Sequence, residues 1–192
     1  MLPDWVSAPD TVSDFSAASV PPLIEIAEAN AMSAVGAFGM MGHYGGIPFF
    51  PIMTVYDFFI KRALDQLYYN LYWGSEFVIV GTPSGVTLSS EGAQHSWKSD
   101  LQIPNLITWE PIFTAEMDWI LCESIRRHFA DENEGRKGIL IRAVTRGIEQ
   151  SELLRRLQRH PRFRSNPKDL ESPPLDDDAI LRQARRDCLS GA

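Results

Sequence analysis

The stretch PFFPIMTVYDFFIKRALDQLYYNLYWGSEFVIV, residues 48–80, holds two apolar runs separated by an amphipathic segment. Residues 48–55 form a mostly apolar run that is typical of a strand buried on both faces. Residues 57–73 have the period of a long amphipathic helix, with Asp57 as its N-cap. Residues 77–80 form a second short apolar strand. A strand, a helix and a strand in this order predict a βαβ unit with parallel strands.

The same alternation continues on both sides of this stretch. A helix is predicted over residues 23–41, and its Ala and Gly content indicates close packing against a neighbour. Further strands are predicted over 106–109 and 138–144, with a helix over 114–129 between them. Together these elements predict an α/β fold with a mostly parallel sheet flanked by helices. Ligands of such sheets bind beyond the carboxyl ends of the strands, so a site is expected in the loops that follow them.

Three segments of different character follow one another along the chain. Residues 1–21 are rich in Pro, Ser, Ala and Asp and predict an irregular N-terminal segment, whereas 22–148 carry the α/β pattern. Residues 149–192 predict a linker and a C-terminal helix leading to an absent domain. Its Arg-rich part, 151–168, favours a solvated linker or an interdomain contact over an anion or nucleic-acid site.

Composition narrows the class of protein. With 192 residues, 44% of them hydrophobic, the chain can bury one substantial core. The net charge of -7 argues against nucleic-acid binding, and no run reaches the roughly 18 apolar residues that span a membrane. Without a visible signal peptide, we expect a cytoplasmic protein. The isolated Cys122 and Cys188 and the scattered histidines show no metal-ligand spacing, so no metal site is expected in this chain.

Glu28 is an unusual residue within its predicted helix. Ile24, Glu28, Ala31, Met32 and Val35 share one helical face, which places a carboxylate in an apolar stripe. Such a carboxylate is costly to bury unless it has a partner. Position alone leaves two interpretations open, a helix-edge glutamate that reaches solvent and a buried functional carboxylate with a shifted pKa.

Four short segments carry a resemblance to a known family. They are residues 26–31 (IAEANA), 56–66 (YDFFIKRALDQ), 81–87 (GTPSGVT) and 91–95 (EGAQH). In this order and spacing they resemble the pyrimidine-binding domain of the transketolase superfamily, over about residues 23–145. The loop segments are most similar to the homodimeric first component of the pyruvate dehydrogenase complex. The resemblance implies the three-layer thiamine diphosphate-binding fold of the pyrimidine-binding type.

The resemblance also implies roles for four residues around the cofactor. Glu28 matches the catalytic carboxylate that hydrogen-bonds the aminopyrimidine ring and activates thiamine diphosphate. Phe59 matches the ring that stacks on the aminopyrimidine, and Tyr56 and Arg62 match positions that line the cofactor pocket. From the residues alone, Phe59 could equally be a core side chain, and Arg62 could pair with an aspartate on its own helix.

Two further residues are implied on the substrate side. His95 matches a catalytic histidine that faces the substrate, and an imidazole suits proton transfer to a carbonyl oxygen. Glu91 is a weaker candidate for a polar contact in the same pocket. A surface position for the loop histidine remains the alternative.

The function implied by the resemblance is oxidative decarboxylation of pyruvate, or a related 2-oxo acid, with transfer to a lipoyl carrier. Transketolase-type ketol transfer and a non-catalytic module that kept the fold are the alternatives. The family holds the diphosphate and its magnesium ion through a Gly-Asp-Gly segment followed by Asn, which this sequence lacks. A diphosphate-binding domain or subunit is therefore the expected partner, in a homo- or hetero-oligomer, with a lipoyl-bearing acyltransferase as a further partner.

Overall fold

The sheet has four strands and is entirely parallel. The computed structural model describes residues 27–84, 103, 105–129, 138–145, 147–170 and 179–190. The strands are β1 (Ile52–Val55), β2 (Val78–Gly81), β3 (Leu106–Trp109) and β4 (Gly138–Arg142). They lie in the order β1-β2-β4-β3, and all three pairings are parallel. The predicted α/β fold with a parallel sheet is confirmed.

The helices differ widely in length. They are α1 (Glu28–Gly39), α2 (Met41–Gly45), a first 3₁₀ helix (Asp57–Ala63), α3 (Leu64–Tyr72), α4 (Thr114–His128), α5 (Ser151–Arg159), α6 (Pro161–Ser165), a second 3₁₀ helix (Pro167–Leu170) and α7 (Ala179–Ser190). No helix in the described ranges has the length and apolar character that a membrane crossing requires.

Helices cover both faces of the sheet. On one face, α1 and α3 pack against the strands through a buried cluster that includes Met32, Leu67 and Ile79. On the other face, Ile120 of α4 packs against Val78 and its neighbours on β4. Adjacent residues of β2 thus point into different cores, as expected for a strand buried on both sides. The result is the predicted three-layer arrangement.

The contact between α1 and α3 is unusually close. A Cβ added to Gly36 would lie 2.0 Å from Oδ1 of Asn70. The space saved by this glycine lets Asn70 donate a hydrogen bond to the backbone oxygen of Met32 at 2.7 Å. The close packing that the Ala and Gly content of this helix predicted is confirmed.

The segment after β1 corrects one prediction. A single α-helix over residues 57–73, capped by Asp57, was expected, but its first seven residues form a 3₁₀ helix. Tyr56 occupies the N-cap position without a side-chain cap. The carboxylate of Asp57 instead accepts hydrogen bonds from Arg142, at the end of β4. The prediction was wrong because this partner lies 85 residues away in the chain.

The C-terminal segment packs on the outer face of α4. The sequence predicted a linker over 151–168, whereas the structure has helices α5 and α6 there, and α7 follows near the predicted C-terminal helix. Their apolar side chains form a buried cluster with α4 and the residue before it: Phe113, Trp119, Leu153, Leu157, Phe163, Leu181, Ala184 and Cys188. That residues 149–192 lead to a further domain stays a prediction.

Glu116 joins α7 to the start of α4. This buried carboxylate accepts hydrogen bonds from the backbone nitrogens of Ile112 and Phe113, at 2.8 and 3.1 Å. Its other oxygen lies 2.7 Å from Nε of Arg185 on α7. One side chain therefore satisfies backbone donors at the helix start and fixes the C-terminal helix to it.

Candidate functional site

Four of the six predicted site residues lie together beside the carboxyl end of β1. Tyr56 directly follows the strand, and Phe59 and Arg62 lie on the first 3₁₀ helix. Glu28 is the first residue of α1, which packs against this 3₁₀ helix. Two segments separated by more than twenty residues thus place their polar and aromatic side chains at one edge of the sheet, where parallel sheets bind ligands.

Arg62 links the carboxylate to the aromatic ring. Its Nη1 donates a hydrogen bond to Oε1 of Glu28 at 3.3 Å, and its guanidinium carbon lies 3.7 Å from the ring centroid of Phe59. The second distance is well inside the roughly 6 Å limit of a cation–π contact. Arg62 thus pairs with Glu28, a partner that was not predicted from the sequence, and not with an aspartate on its own helix, which was the alternative there.

The Glu28 side chain is more enclosed than its ion-pair partner. Its side chain is only 13% exposed, whereas that of Arg62 is 52% exposed. Further along the same face of α1, Met32 and Val35 are buried in the core. The carboxylate also lies in the first turn of α1, where the helix dipole favours a negative charge. Glu28 is therefore a largely enclosed carboxylate at the border between the core and the sheet edge.

Three aromatic rings form a cluster next to this carboxylate. The ring centroid of Tyr56 lies 5.6 Å from that of Phe58 and 5.6 Å from that of Phe59. Phe58 and Phe59 meet edge to face at 5.2 Å. These separations are typical of favourable aromatic pairs. Tyr56 is 57% exposed, so the cluster extends from partly buried rings to the surface.

A buried ion pair lies at the same edge of the sheet. Asp57 and Arg142 are each 3% exposed, and the Arg142 Nε to Asp57 Oδ1 distance is 2.8 Å. Nη1 of Arg142 also lies 3.7 Å from Oε1 of Glu110, just after β3. The pair connects the ends of β1 and β4 across β2, and so fixes the segment that carries Tyr56 and Phe59.

The sequence reasoning did not single out this pair. A signal was present, because Arg142 ends an otherwise apolar strand, GILIR, in which every residue is buried. A charged residue at the end of a fully buried strand needs a partner. Asp57, two residues beyond the end of β1, was a candidate for that partner at the same edge.

Glu91 and His95 lie outside the described residues, so their predicted places on the substrate side stay predictions. A separate polar cluster lies at the opposite edge, where Glu76 precedes β2. Its carboxylate oxygens are 3.7 Å from Nε2 of His43 and 3.4 Å from Nδ1 of His128. Within the part of the chain that the structure covers, no group of three or more His, Cys, Asp or Glu side chains could hold a metal ion.

A groove on the helical side of the molecule is distinct from the site residues. Its volume is about 1020 Å³, and its walls come from the start of α4, from α5 and from α6. Trp119, Leu154 and Phe163 give it an apolar lining, with Asp118 and Arg164 among its polar residues. The four predicted site residues that the structure describes do not line it.

Comparison with known proteins gives one weak but consistent result. No family model matches the chain. Part of the chain is similar to a pyruvate dehydrogenase E1 component. The protein of that name from Buchnera aphidicola subsp. Acyrthosiphon pisum is 30% identical over 95 residues, which cover 44% of this chain and 11% of that protein. The one from Buchnera aphidicola subsp. Schizaphis graminum is 28% identical over 120 residues, 57% of this chain and 13% of that protein. The matched region is thus a small part of each relative.

Proposed function

We propose that this chain supplies the pyrimidine-binding half of a thiamine diphosphate site in an enzyme that oxidatively decarboxylates pyruvate. The observation that carries the proposal is that the enclosed Glu28 carboxylate and the ring face of Phe59 contact one and the same guanidinium, that of Arg62, at the carboxyl edge of a parallel sheet. The partial similarity to pyruvate dehydrogenase E1 components supports pyruvate as the substrate. The lipoyl carrier as acceptor is what the family resemblance of the sequence implies.

The residues present fit an aminopyrimidine ring. Phe59 offers a planar apolar face, and Glu28 offers a carboxylate oxygen that can hydrogen-bond a ring nitrogen. Both contacts are made by the guanidinium of Arg62, a planar group with N–H donors, and this supports the fit of a flat polar group. When bound, thiamine diphosphate supplies a nucleophilic carbon and an electron sink for decarboxylation.

Five site residues of this chain then have a proposed task. Glu28 holds and shares a proton at the pyrimidine ring nitrogen, in surroundings that keep most water away from the carboxylate. Phe59 orients the ring, and Tyr56 extends the aromatic wall toward the surface. His95 moves a proton at the substrate carbonyl oxygen, and Glu91 makes a polar contact on the same side.

The other half of the site belongs, in this proposal, to a partner. The diphosphate would be held through a magnesium ion, which needs oxygen ligands such as the side chains of a Gly-Asp-Gly segment and a following Asn, and the sequence contains no Gly-Asp-Gly segment. A domain or subunit bearing that segment would complete the site, and a lipoyl-bearing acyltransferase would accept the product.

Reconstitution tests the proposal directly. The chain is co-expressed with a chain from the same genome that carries the Gly-Asp-Gly segment. Thiamine diphosphate and magnesium are added, together with a lipoyl-bearing acyltransferase whose lipoyl disulfide accepts the two-carbon unit and its electrons. We expect cofactor binding and release of CO₂ from pyruvate with both chains together. Ketol transfer from a ketose phosphate without CO₂ release would instead favour a transketolase-type enzyme. If both chains are folded and both activities are absent, the enzyme assignment is refuted.

The Glu28→Gln variant is a sharper test within the same assay. The amide keeps the size of the side chain but cannot share the proton, so we expect CO₂ release to fall by about a hundredfold or more. The matched control is Glu123→Gln, a carboxylate on α4 that pairs with Arg126 and Arg127 away from the site. Full activity in Glu28→Gln would contradict the assigned role, and an equal loss in both variants would indicate general damage.

A further inference from the structure

We propose that Arg62 is a placeholder: in the ligand-free chain its guanidinium occupies the position that the aminopyrimidine ring takes on binding. The guanidinium must leave both Phe59 and Glu28 before the cofactor binds. This inference rests on the proposed function and adds a positioning residue to it. The guanidinium would be displaced toward solvent on binding and would return when the site empties.

The geometry supports the placeholder because one group satisfies two demands at once. A guanidinium is planar, stacks on aromatic faces and carries several N–H donors. The Arg62 guanidinium lies 3.7 Å from the centroid of Phe59 while it donates to Glu28 at 3.3 Å. An aminopyrimidine that stacks on Phe59 and hydrogen-bonds Glu28 needs the same ring face and the same oxygen. The two groups cannot be held there together.

The ligand-free chain gains from this arrangement. Glu28 is mostly enclosed, and a carboxylate in such a place is costly without a partner. Arg62 supplies the partner, and its stacking covers the apolar face of Phe59. The site therefore keeps its shape without a ligand, instead of collapsing around an unpaired charge.

The placeholder is also easy to remove. The Arg62 side chain is half exposed, and ion pairs with an exposed partner are only weakly stabilising. Its long aliphatic stem allows the guanidinium to swing into water while the backbone of the 3₁₀ helix stays fixed. Arg62 thus lowers the affinity for the ring without blocking the site.

Binding of the free ring to the full chain tests this. The probe is the neutral hydroxymethyl derivative of the aminopyrimidine half of thiamine, and titration calorimetry measures its affinity. Arg62→Met keeps a long side chain without the cation, and we expect it to bind the probe about three- to tenfold more tightly, equivalent to about 0.7–1.4 kcal/mol. Lys61→Met removes the neighbouring positive charge and should leave the affinity within about twofold of the unchanged chain.

A spectroscopic measurement follows the guanidinium itself. In the ligand-free chain the ring current of Phe59 should shift the proton resonances of the Arg62 side chain upfield, as seen with labelled arginine. Saturating probe should return them to ordinary positions. Phe59→Leu should remove the shift from the start.

The outcomes separate this inference from the proposed function. Binding of the probe with unmoved Arg62 resonances, or weaker binding in Arg62→Met, would overturn the placeholder and leave the pyrimidine site intact. Failure of every folded variant to bind the probe would overturn both. Tighter binding in Arg62→Met together with loss of the upfield shift supports both.

Discussion

Asp57 and Arg142 are nearly inaccessible to water, so Asp57→Asn removes one charge of a buried ion pair and leaves Arg142 with the more distant carboxylate of Glu110. We expect Asp57→Asn to lower the free energy of unfolding by about 3–5 kcal/mol. Urea denaturation followed by circular dichroism measures this change. Asp65→Asn, at an exposed position on α3, is the matched control and should change stability by less than about 0.5 kcal/mol. Equal stabilities for the two variants would contradict the role of the buried pair.

Gly81 ends β2 directly beneath this ion pair. A Cβ there would lie 2.7 Å from Oδ1 of Asp57 and 3.1 Å from Cδ1 of Ile60. We therefore expect Gly81→Ala to destabilise the chain by about 1–3 kcal/mol, because the 3₁₀ helix must shift outward. Thermal denaturation compares it with Gly147→Ala, where an added Cβ meets no atom of the described residues within 4 Å. A loss in Gly147→Ala as large as that in Gly81→Ala would indicate a backbone effect of the substitution instead of a clash.

Individual elements show how far local sequence reasoning extends. β3 was predicted over 106–109 and forms there, and α4 was predicted to within one residue of its C-terminal end. Apolar runs of this length bounded by polar loops leave few alternatives, because a buried strand and an amphipathic helix have different periods. That Tyr56 lies at the carboxyl end of β1 follows from strand direction, whereas its grouping with Glu28, Phe59 and Arg62 was implied by the family resemblance.

Other features depend on contacts that no local pattern contains. The 3₁₀ start of the helix after β1 accompanies the engagement of Asp57 by Arg142, far along the chain. The pairing of Arg62 with Glu28 depends on how α1 docks beside the 3₁₀ helix. α5 was missed for a different reason. Its many charges suggested a linker, although Leu153 and Leu157 are spaced by one helical turn.

The charged face of α5 makes the stability of the folded chain dependent on pH. Hydrogen bonds from Arg155 and Arg156 hold the pKa of Glu152 below its ordinary value of 4.5. The stabilisation is therefore fully present above that value and is lost as the pH falls through the lower pKa of the folded chain. We expect the melting temperature of Glu152→Gln to lie below that of the unchanged chain at neutral pH. The difference should vanish well below about pH 4.5, and a constant difference would contradict this assignment.

At the scale of the whole molecule, Cys188 reports on the docking of the C-terminal helices. It is 8% exposed within the buried cluster that α5, α6 and α7 form on the outer face of α4. Burial raises the pKa of its thiol. In a Cys122→Ser background, which removes the exposed cysteine, we expect Cys188 to react with a thiol reagent at least about tenfold more slowly in the folded chain than in urea. Equally fast labelling of the folded chain would show that these helices are not docked.

The two edges of the sheet carry different kinds of polar group. The carboxyl edge holds Glu28, Arg62 and the Asp57–Arg142 pair, whereas Glu76 with its two histidines lies before β2 at the amino edge. A substitution in the histidine cluster therefore acts on the proposed site through stability alone. This separation makes the amino edge a suitable place for stability controls in any activity assay.

Trp119 and Ile120, neighbours on α4, belong to different buried clusters, one with the C-terminal helices and the other with the sheet. α4 must therefore present two apolar stripes, and it must also carry the buried Glu116 that holds α7. α5 faces one cluster alone through its leucines. Substitutions on the outer face of α5 disturb neither buried cluster, whereas changes at the buried positions of α4 disturb one core or the other, so α4 has the narrower range of acceptable core residues.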